Sequence, residues 1–154
     1  YCNEMWNQLD ALTGLLNQNS YLNRTAEMKR GGMLVVFDVD NFKHINDCYG
    51  HLKGDECLAE IAACIKKAYA SYGYCYRMGG DEFCVLLKNG AKADFCAQNL
   101  EKALEESQKA IPYLPQVSYG TAAFTGEDVL TVKDAADREM YRQKKERKKL
   151  TAQS

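Results

Sequence analysis

The sequence predicts a mixed α/β (α+β) domain, an antiparallel-rich sheet with helices packed against it. Three observations carry this. Four short runs are apolar and rich in β-branched or aromatic residues, at 33–40, 74–78, 83–87 and 117–124. Two of these runs flank Gly79-Gly80, which is a hairpin signal. The longer stretches between runs repeat apolar residues at helical spacing.

Taken in order, Gly14-Leu15-Leu16 leads into "NQNSYLNRTAEMKR", a helix ended by Gly31-Gly32. "MLVVFDVD" (33–40) has five consecutive apolar residues and reads as a buried strand. "NFKHINDCYGH" forms one or two helical turns stopped by Gly50. From Gly54 the helical period is clean, with Leu58, Ile61, Ala62, Ile65 and Tyr69 on one face and Gly73 at the end. "YCYRM" and "FCVLL" form the hairpin arms. A helix over about 91–109 buries Ala93, Cys96, Ala97, Leu100 and Leu104. Pro112 and Pro115 break the chain before the strand "VSYGTAAF", and a basic helix over about 129–148 closes the domain. The order is helix, strand, helix, strand, strand, helix, strand, helix.

A length of 154 residues, with 46% hydrophobic and 27% charged residues, fits one globular domain with a sizeable core. No apolar stretch approaches the roughly 20 residues needed to span a bilayer, and the start has no signal-peptide pattern. No membrane contact by this domain is expected. The first residue is Tyr1 rather than Met, as in a piece excised from a longer protein whose upstream part is open to carrying a membrane anchor. A net charge of −1 argues against bulk nucleic-acid binding. Charge is uneven, however: residues 133–149 hold eight Lys/Arg against four acids. The simplest account of most of these is a solvated helix face. Seven cysteines without a C-x-x-C pair argue against structural zinc and fit a reducing, cytoplasmic setting.

Two acidic pairs stand out. Asp38 and Asp40 end the first strand, where α/β folds commonly place ligand sites. Strand alternation puts both on one side of the sheet, unless the strand bends at Asp38 and the two diverge. Asp81 and Glu82 sit at the hairpin tip, after glycines that permit a tight turn. Neighbouring strands would bring Asp81 and Glu82 beside Asp38. Carboxylates converging at close range repel unless a divalent cation lies between them, and all-oxygen donors favour Mg²⁺ or Mn²⁺ over Zn²⁺. Such a cation normally completes its shell with substrate phosphates. Lys43, at the start of the short helix, and Lys144 and Lys148, four apart on the last helix, are candidate phosphate partners. Asn46 and Asp55 offer the acceptors and donors that a guanine edge requires, although either alone is commonly a helix cap.

Together "RMGGDEF", "FDVDNFKHINDCYGHLKGDECL", "LDALTGLLN" and "DAADREMYRQKK" resemble the GGDEF domain of diguanylate cyclases, from about Leu9 to Lys148 and in the family's order. The resemblance implies a five-stranded, mainly antiparallel central sheet flanked by helices, a palm-like cyclase/polymerase architecture. It implies that two GTP are joined into cyclic di-GMP with release of pyrophosphate, in bacterial second-messenger signalling. By the same resemblance Asp38, the Val39 carbonyl, Asp81 and Glu82 are metal positions, with Asp81 and Glu82 catalytic. Asn41 and Phe42 are backbone phosphate contacts, and Lys43, Lys144 and Lys148 phosphate lysines. Asn46 and Asp55 read guanine, Gly80 allows close nucleotide approach, and Arg77 ties to Asp10 structurally. Each domain holds one GTP, so a homodimer is needed for turnover. Residues 1–9 would end an upstream connecting helix, and 10–154 would form the catalytic domain of a larger sensor or regulatory protein.

Departures are local. The family's A-K-x-x-G-R-N ending becomes Gln143-Lys144-Lys145-Glu146-Arg147-Lys148-Lys149, with lysine in the arginine place. Lysine cannot make bidentate contacts as arginine does. The R-x-x-D of the family's inhibitory product site is replaced by Ala70 and Gly73 at its ends, so inhibition there is not expected. Asp55 is retained, which favours GTP over ATP. Three other readings compete. A GGDEF-like module could bind a nucleotide without turnover, but the acids, lysines and guanine pair are all present. "VVFDVD" suggests a haloacid-dehalogenase-like phosphatase, yet Phe42 stands where Thr or Val follows the second acid. A structural domain with acidic turns leaves the joint spacing unexplained.

Overall fold

In the computed structural model, residues 8–25, 31–126 and 129–153 are described. The elements are α1 (Gln18–Thr25), β1 (Met33–Val39), α2 (Phe42–Tyr49), α3 (His51–Tyr69), β2 (Gly73–Gly79), β3 (Glu82–Leu87), α4 (Ala93–Ala110, after one 3₁₀ turn), β4 (Val117–Ala123) and α5 (Val129–Gln153). The first predicted helix is described to Thr25, and residues 26–30, which precede its predicted end at Gly31-Gly32, lie outside the described residues. The clean period beginning at Gly54 belongs to a helix that starts three residues earlier, directly after α2.

The sheet runs β2-β3-β1-β4, and every pairing is antiparallel. Among the described residues it has four strands rather than the expected five. One extra residue joins it: Leu16 bridges Tyr76 in parallel, with Leu16 N–H donating to Cys75 O (3.2 Å) and Arg77 N–H to Leu16 O (2.8 Å). The Asp10–Thr13 turn precedes this residue and α1 begins at Gln18, so Leu16 adds a single bridge to the sheet and not a strand. Of the stretch 1–9, only Gln8 and Leu9 are described. They form a turn and a bridge to Leu16, not helix.

Alternation along β1 divides the core in two. Val35, Phe37 and Val39 pack with Ile61, Ile65, Tyr69, Leu100 and Leu104 of α3 and α4. Leu34 and Val36 face Tyr21, Tyr76, Cys84, Val132 and Ala136 beneath α1 and α5. By the same alternation Asp38 looks toward α5, the helix that carries the basic residues.

Edge strand β4 is covered closely by α5. A Cβ on Gly120 would lie 2.1 Å from Ala136 O and 2.3 Å from Met140 N, so only glycine allows this backbone-to-backbone approach. The Tyr119 N–H is met by Gln143 Oε1 at 2.6 Å, so a helix side chain occupies a donor on the edge.

Candidate active site

The site forms where β1 ends beside the β2–β3 hairpin. Gly79 pairs with Glu82, leaving Gly80 and Asp81 as the two-residue turn, with an irregularity between Arg77 and Gly79. Gly80 has φ +24°, as a primed hairpin turn requires. Its carbonyl accepts from Arg77 Nε (3.2 Å) and Nη2 (2.8 Å), while Arg77 Nη1 donates to both oxygens of Asp10 (3.1 Å each). The sequence-expected Arg77–Asp10 tie is therefore present, and it steadies the hairpin tip. Val39 N–H donates to Asp81 O (3.2 Å), fastening that tip to the end of β1.

Asp38 and Asp81 are brought together. Burial, then the neighbouring Asp38 carboxylate, holds Asp81 above the ordinary carboxylate pKa, against a smaller opposing pull from Lys144. Lys144 of α5 pairs directly with Asp38 Oδ2. The two acids and this cation form the electrostatic centre of the site.

Glu82 and Asp40 do not join it. Glu82 is the cross-strand partner of Asp38, but its carboxylate turns to Lys133, whose ammonium lies 3.2 Å from Oε1 and 3.0 Å from Asp137 Oδ2. Oε1 is shielded from solvent and accepts no well-aligned hydrogen bond, so the contact with Lys133 is one of charge rather than direction. Burial alone would lower the Lys133 pKa, but Asp137 and Glu82 outweigh it and the net shift is upward. Asp40 lies past the end of the strand. It accepts from the buried Ser118 hydroxyl (2.7 Å) and from Arg147 Nη1 (3.1 Å). The two strand-end acids thus diverge. Among the described residues, no three His, Cys, Asp or Glu side chains form a ready metal cage.

The turn after β1 contains Asn41 with φ 56°, the single described non-glycine residue in the left-handed region. Asn41 leads into α2, where Phe42 packs on the core and Lys43 is exposed. Asn46, one turn on, lies over α3: a Cβ on Gly54 would fall 1.9 Å from Asn46 Oδ1 and 3.3 Å from Phe42 Cζ. Asp55 follows Gly54 on α3 and is exposed, so both residues lie at the α2–α3 corner. Lys148 is exposed on α5, one turn beyond Lys144. A separate groove of about 290 Å³ between α4 and β4, lined by Leu100, Glu101, Tyr119 and Arg147 among others, contains none of these site residues. Gly73 has no room for an aspartate, because an added Cβ would lie 2.2 Å from Leu86 O.

Sequence reasoning missed Lys133, Gly54, Gly120 and Gln143. Lys133 left one signal, the i,i+4 spacing to Asp137. The other three act through contacts that no local pattern encodes.

Similarity to known proteins identifies the family and the fold. The family model "Diguanylate cyclase, GGDEF domain" matches residues 7–150. Diguanylate cyclase A of Treponema denticola is 32% identical over 138 residues, covering 84% of this chain and 37% of that protein. Diguanylate cyclase DgcP of Pseudomonas aeruginosa is 35% identical over 157 residues, covering 88% of this chain and 22% of its own length. The chain therefore spans only about a third or less of these relatives. Among solved structures, the GGDEF domain of DgcB from Caulobacter crescentus, in complex with c-di-GMP, aligns with TM-score 0.75 at 28% identity, covering 90% of each chain. Diguanylate cyclase SiaD of Pseudomonas aeruginosa, solved with its activator SiaC, aligns with TM-score 0.80 at 26% identity over 94% of this chain and 62% of that one. With a family match spanning nearly its whole length, this chain belongs to the diguanylate cyclase GGDEF domain family.

Proposed function

We propose that this chain is the catalytic domain of a diguanylate cyclase, condensing two GTP into cyclic di-GMP with release of pyrophosphate. The observation that carries this is the meeting of Asp38 and Asp81, with Asp81 held above its ordinary pKa, at the corner where the end of β1 meets the hairpin tip. Two carboxylates in mutual repulsion suit a hard divalent cation, and the Lys144 ammonium on Asp38 marks where positive charge is favourable. The residues present therefore fit Mg²⁺ or Mn²⁺, held by the carboxylates of Asp38 and Asp81 and the Val39 carbonyl, with Glu82 available on the same face. When bound, that cation neutralises triphosphate charge and eases ionisation of a 3′-hydroxyl.

The remaining roles belong to the chain itself. Backbone N–H groups at Asn41 and Phe42 face the phosphates at the start of α2. Lys43, Lys144 and Lys148 supply positive charge, and Lys144 moves from Asp38 to phosphate on binding. Asn46 and Asp55 read the guanine edge. Gly80 lets the nucleotide approach the hairpin, and the second GTP comes from a second copy of the domain, since each copy offers one such corner. A GTP substrate and free thiols fit a cytoplasmic domain, and no described helix is long and apolar enough to cross a membrane.

The test is incubation of the protein, fused to a dimerising helix, with GTP and Mg²⁺. Cyclic di-GMP should appear, and Asp81→Ala should abolish it while preserving the fold. No cyclic dinucleotide under forced dimerisation would retire the cyclase reading and leave a nucleotide-binding module.

A further inference from the structure

Glu82 and Asp38 are direct cross-strand partners on the sheet face toward α5. Directly opposed residues have Cβ atoms about 5 Å apart, so side-chain rotation alone can carry the Glu82 carboxylate to Asp38 and Asp81. It is turned instead to Lys133, 3.2 Å away. Lys133 already has a second acceptor, Asp137 at 3.0 Å, one turn along its own helix.

We infer that Lys133 is a positioning residue for Glu82: its ammonium holds that carboxylate back from the acid pair, and Asp137 keeps the ammonium when Glu82 turns to a bound divalent cation. This rests on the metal role proposed above for the Asp38–Asp81 pair.

The arrangement of acceptors supports a movable pair over a fixed staple. Breaking a shielded ion pair is costly when it strands an uncompensated charge. Here Asp137 remains on Lys133 after Glu82 departs, and the cation would meet Glu82 at its destination. Neither charge is left alone at either end of the movement. The Lys133 and Glu82 side chains are 25% and 37% exposed, so their attraction is partly screened and within reach of a competing ion. Asp137 then sets the balance, because every increase in its hold on Lys133 loosens Glu82.

Mn²⁺ binding to the whole chain, with a non-hydrolysable GTP analogue present, is measured by the loss of the free-ion paramagnetic resonance signal. Lys133→Met should tighten Mn²⁺ binding about fivefold by releasing Glu82. Asp137→Asn should weaken it by a similar factor, because Lys133 then rests on Glu82 alone. In a Glu82→Gln background, Lys133→Met should have no effect. A purely structural staple would lower the melting temperature of Lys133→Met and leave Mn²⁺ affinity unchanged, which overturns the proposal. So would an equal shift in the Glu82→Gln background. If Lys133→Met does not fold, unchanged Mn²⁺ affinity in Asp137→Asn overturns it alone. Product formation by the otherwise unsubstituted chain, fused to the dimerising helix, is followed in parallel. Cyclic product with unshifted Mn²⁺ affinities removes the Lys133 role and keeps the cyclase, whereas shifted affinities without product do the reverse.

Discussion

Gly54→Ala isolates base recognition from folding. The new methyl would lie 1.9 Å from Asn46 Oδ1 and 3.1 Å from Asn46 Cγ. With contact distances near 3.5 Å, the amide oxygen must retreat by roughly 1.5 Å, and the end of a flexible side chain can do so. The fold should barely register the change. Alanine is preferred to glycine within a helix by about 1 kcal/mol, which offsets the crowding of Phe42 Cζ at 3.3 Å. If Asn46 reads the base as proposed, recognition should suffer, because its amide is displaced. Losing one polar contact to the base costs about 1–3 kcal/mol, or roughly 5–150-fold in affinity. Calorimetry with non-hydrolysable GTP and ATP analogues reads the result. The GTP analogue should weaken by that factor while the ATP analogue changes little, so that the preference between them collapses. Combined with Asn46→Ala, the effects should be far from additive, since both remove one group. A folded Gly54→Ala protein with unchanged preference would refute the assignment of Asn46 as a base reader.

Gly120→Ala meets backbone instead, at Ala136 O and Met140 N, which no side-chain rotation can relieve. It should destabilise by about 3 kcal/mol and lower the melting midpoint by roughly 10 °C, with Lys144 displaced from Asp38. Thermal unfolding checks the first effect and nucleotide-analogue binding the second. Two aspartates should show opposite pH linkage. Burial raises Asp10, but Thr13 and then Arg77 outweigh it, so its pKa is lowered on folding. Its contribution is present above the unfolded pKa, near 4, and is lost as pH falls through the lower folded value. Asp81 is raised, so its ionised form opposes folding, and that opposition fades as pH falls through the raised folded value toward the unfolded one. Asp81→Asn should therefore stabilise the nucleotide-free protein at pH 7, by less than about 1 kcal/mol given its partial exposure, while eliminating metal-dependent nucleotide binding. Asp10→Asn should destabilise at pH 7, with a smaller effect in acid below about pH 4. Chemical denaturation at the two pH values separates them.

The amino-acid string alone carried the hairpin, the candidate site residues and the element order, except that two helices rather than one separate β1 from β2. These depend on short-range chemistry: period-2 and period-3.6 patterns, a glycine pair at a turn, acids at strand ends. It also contained four strand-like runs, the number observed. The fifth strand came from family resemblance, and among the described residues before α1 only Leu16 bridges a strand of the sheet. Which charge meets which depends on how distant elements pack. Lys144 reaches Asp38 across 106 residues and Arg147 reaches Asp40 across 107. Two acids two residues apart are thereby sent to different tasks, because β1 ends between them. Glu82 stands opposite Asp38 yet turns to Lys133, since a counter-ion is chosen by distance and competing acceptors in space rather than by spacing along the chain. Gly54 and Gly120 belong to the same class. Each is needed for what approaches it from another element, and a single chain's sequence does not encode that approach locally.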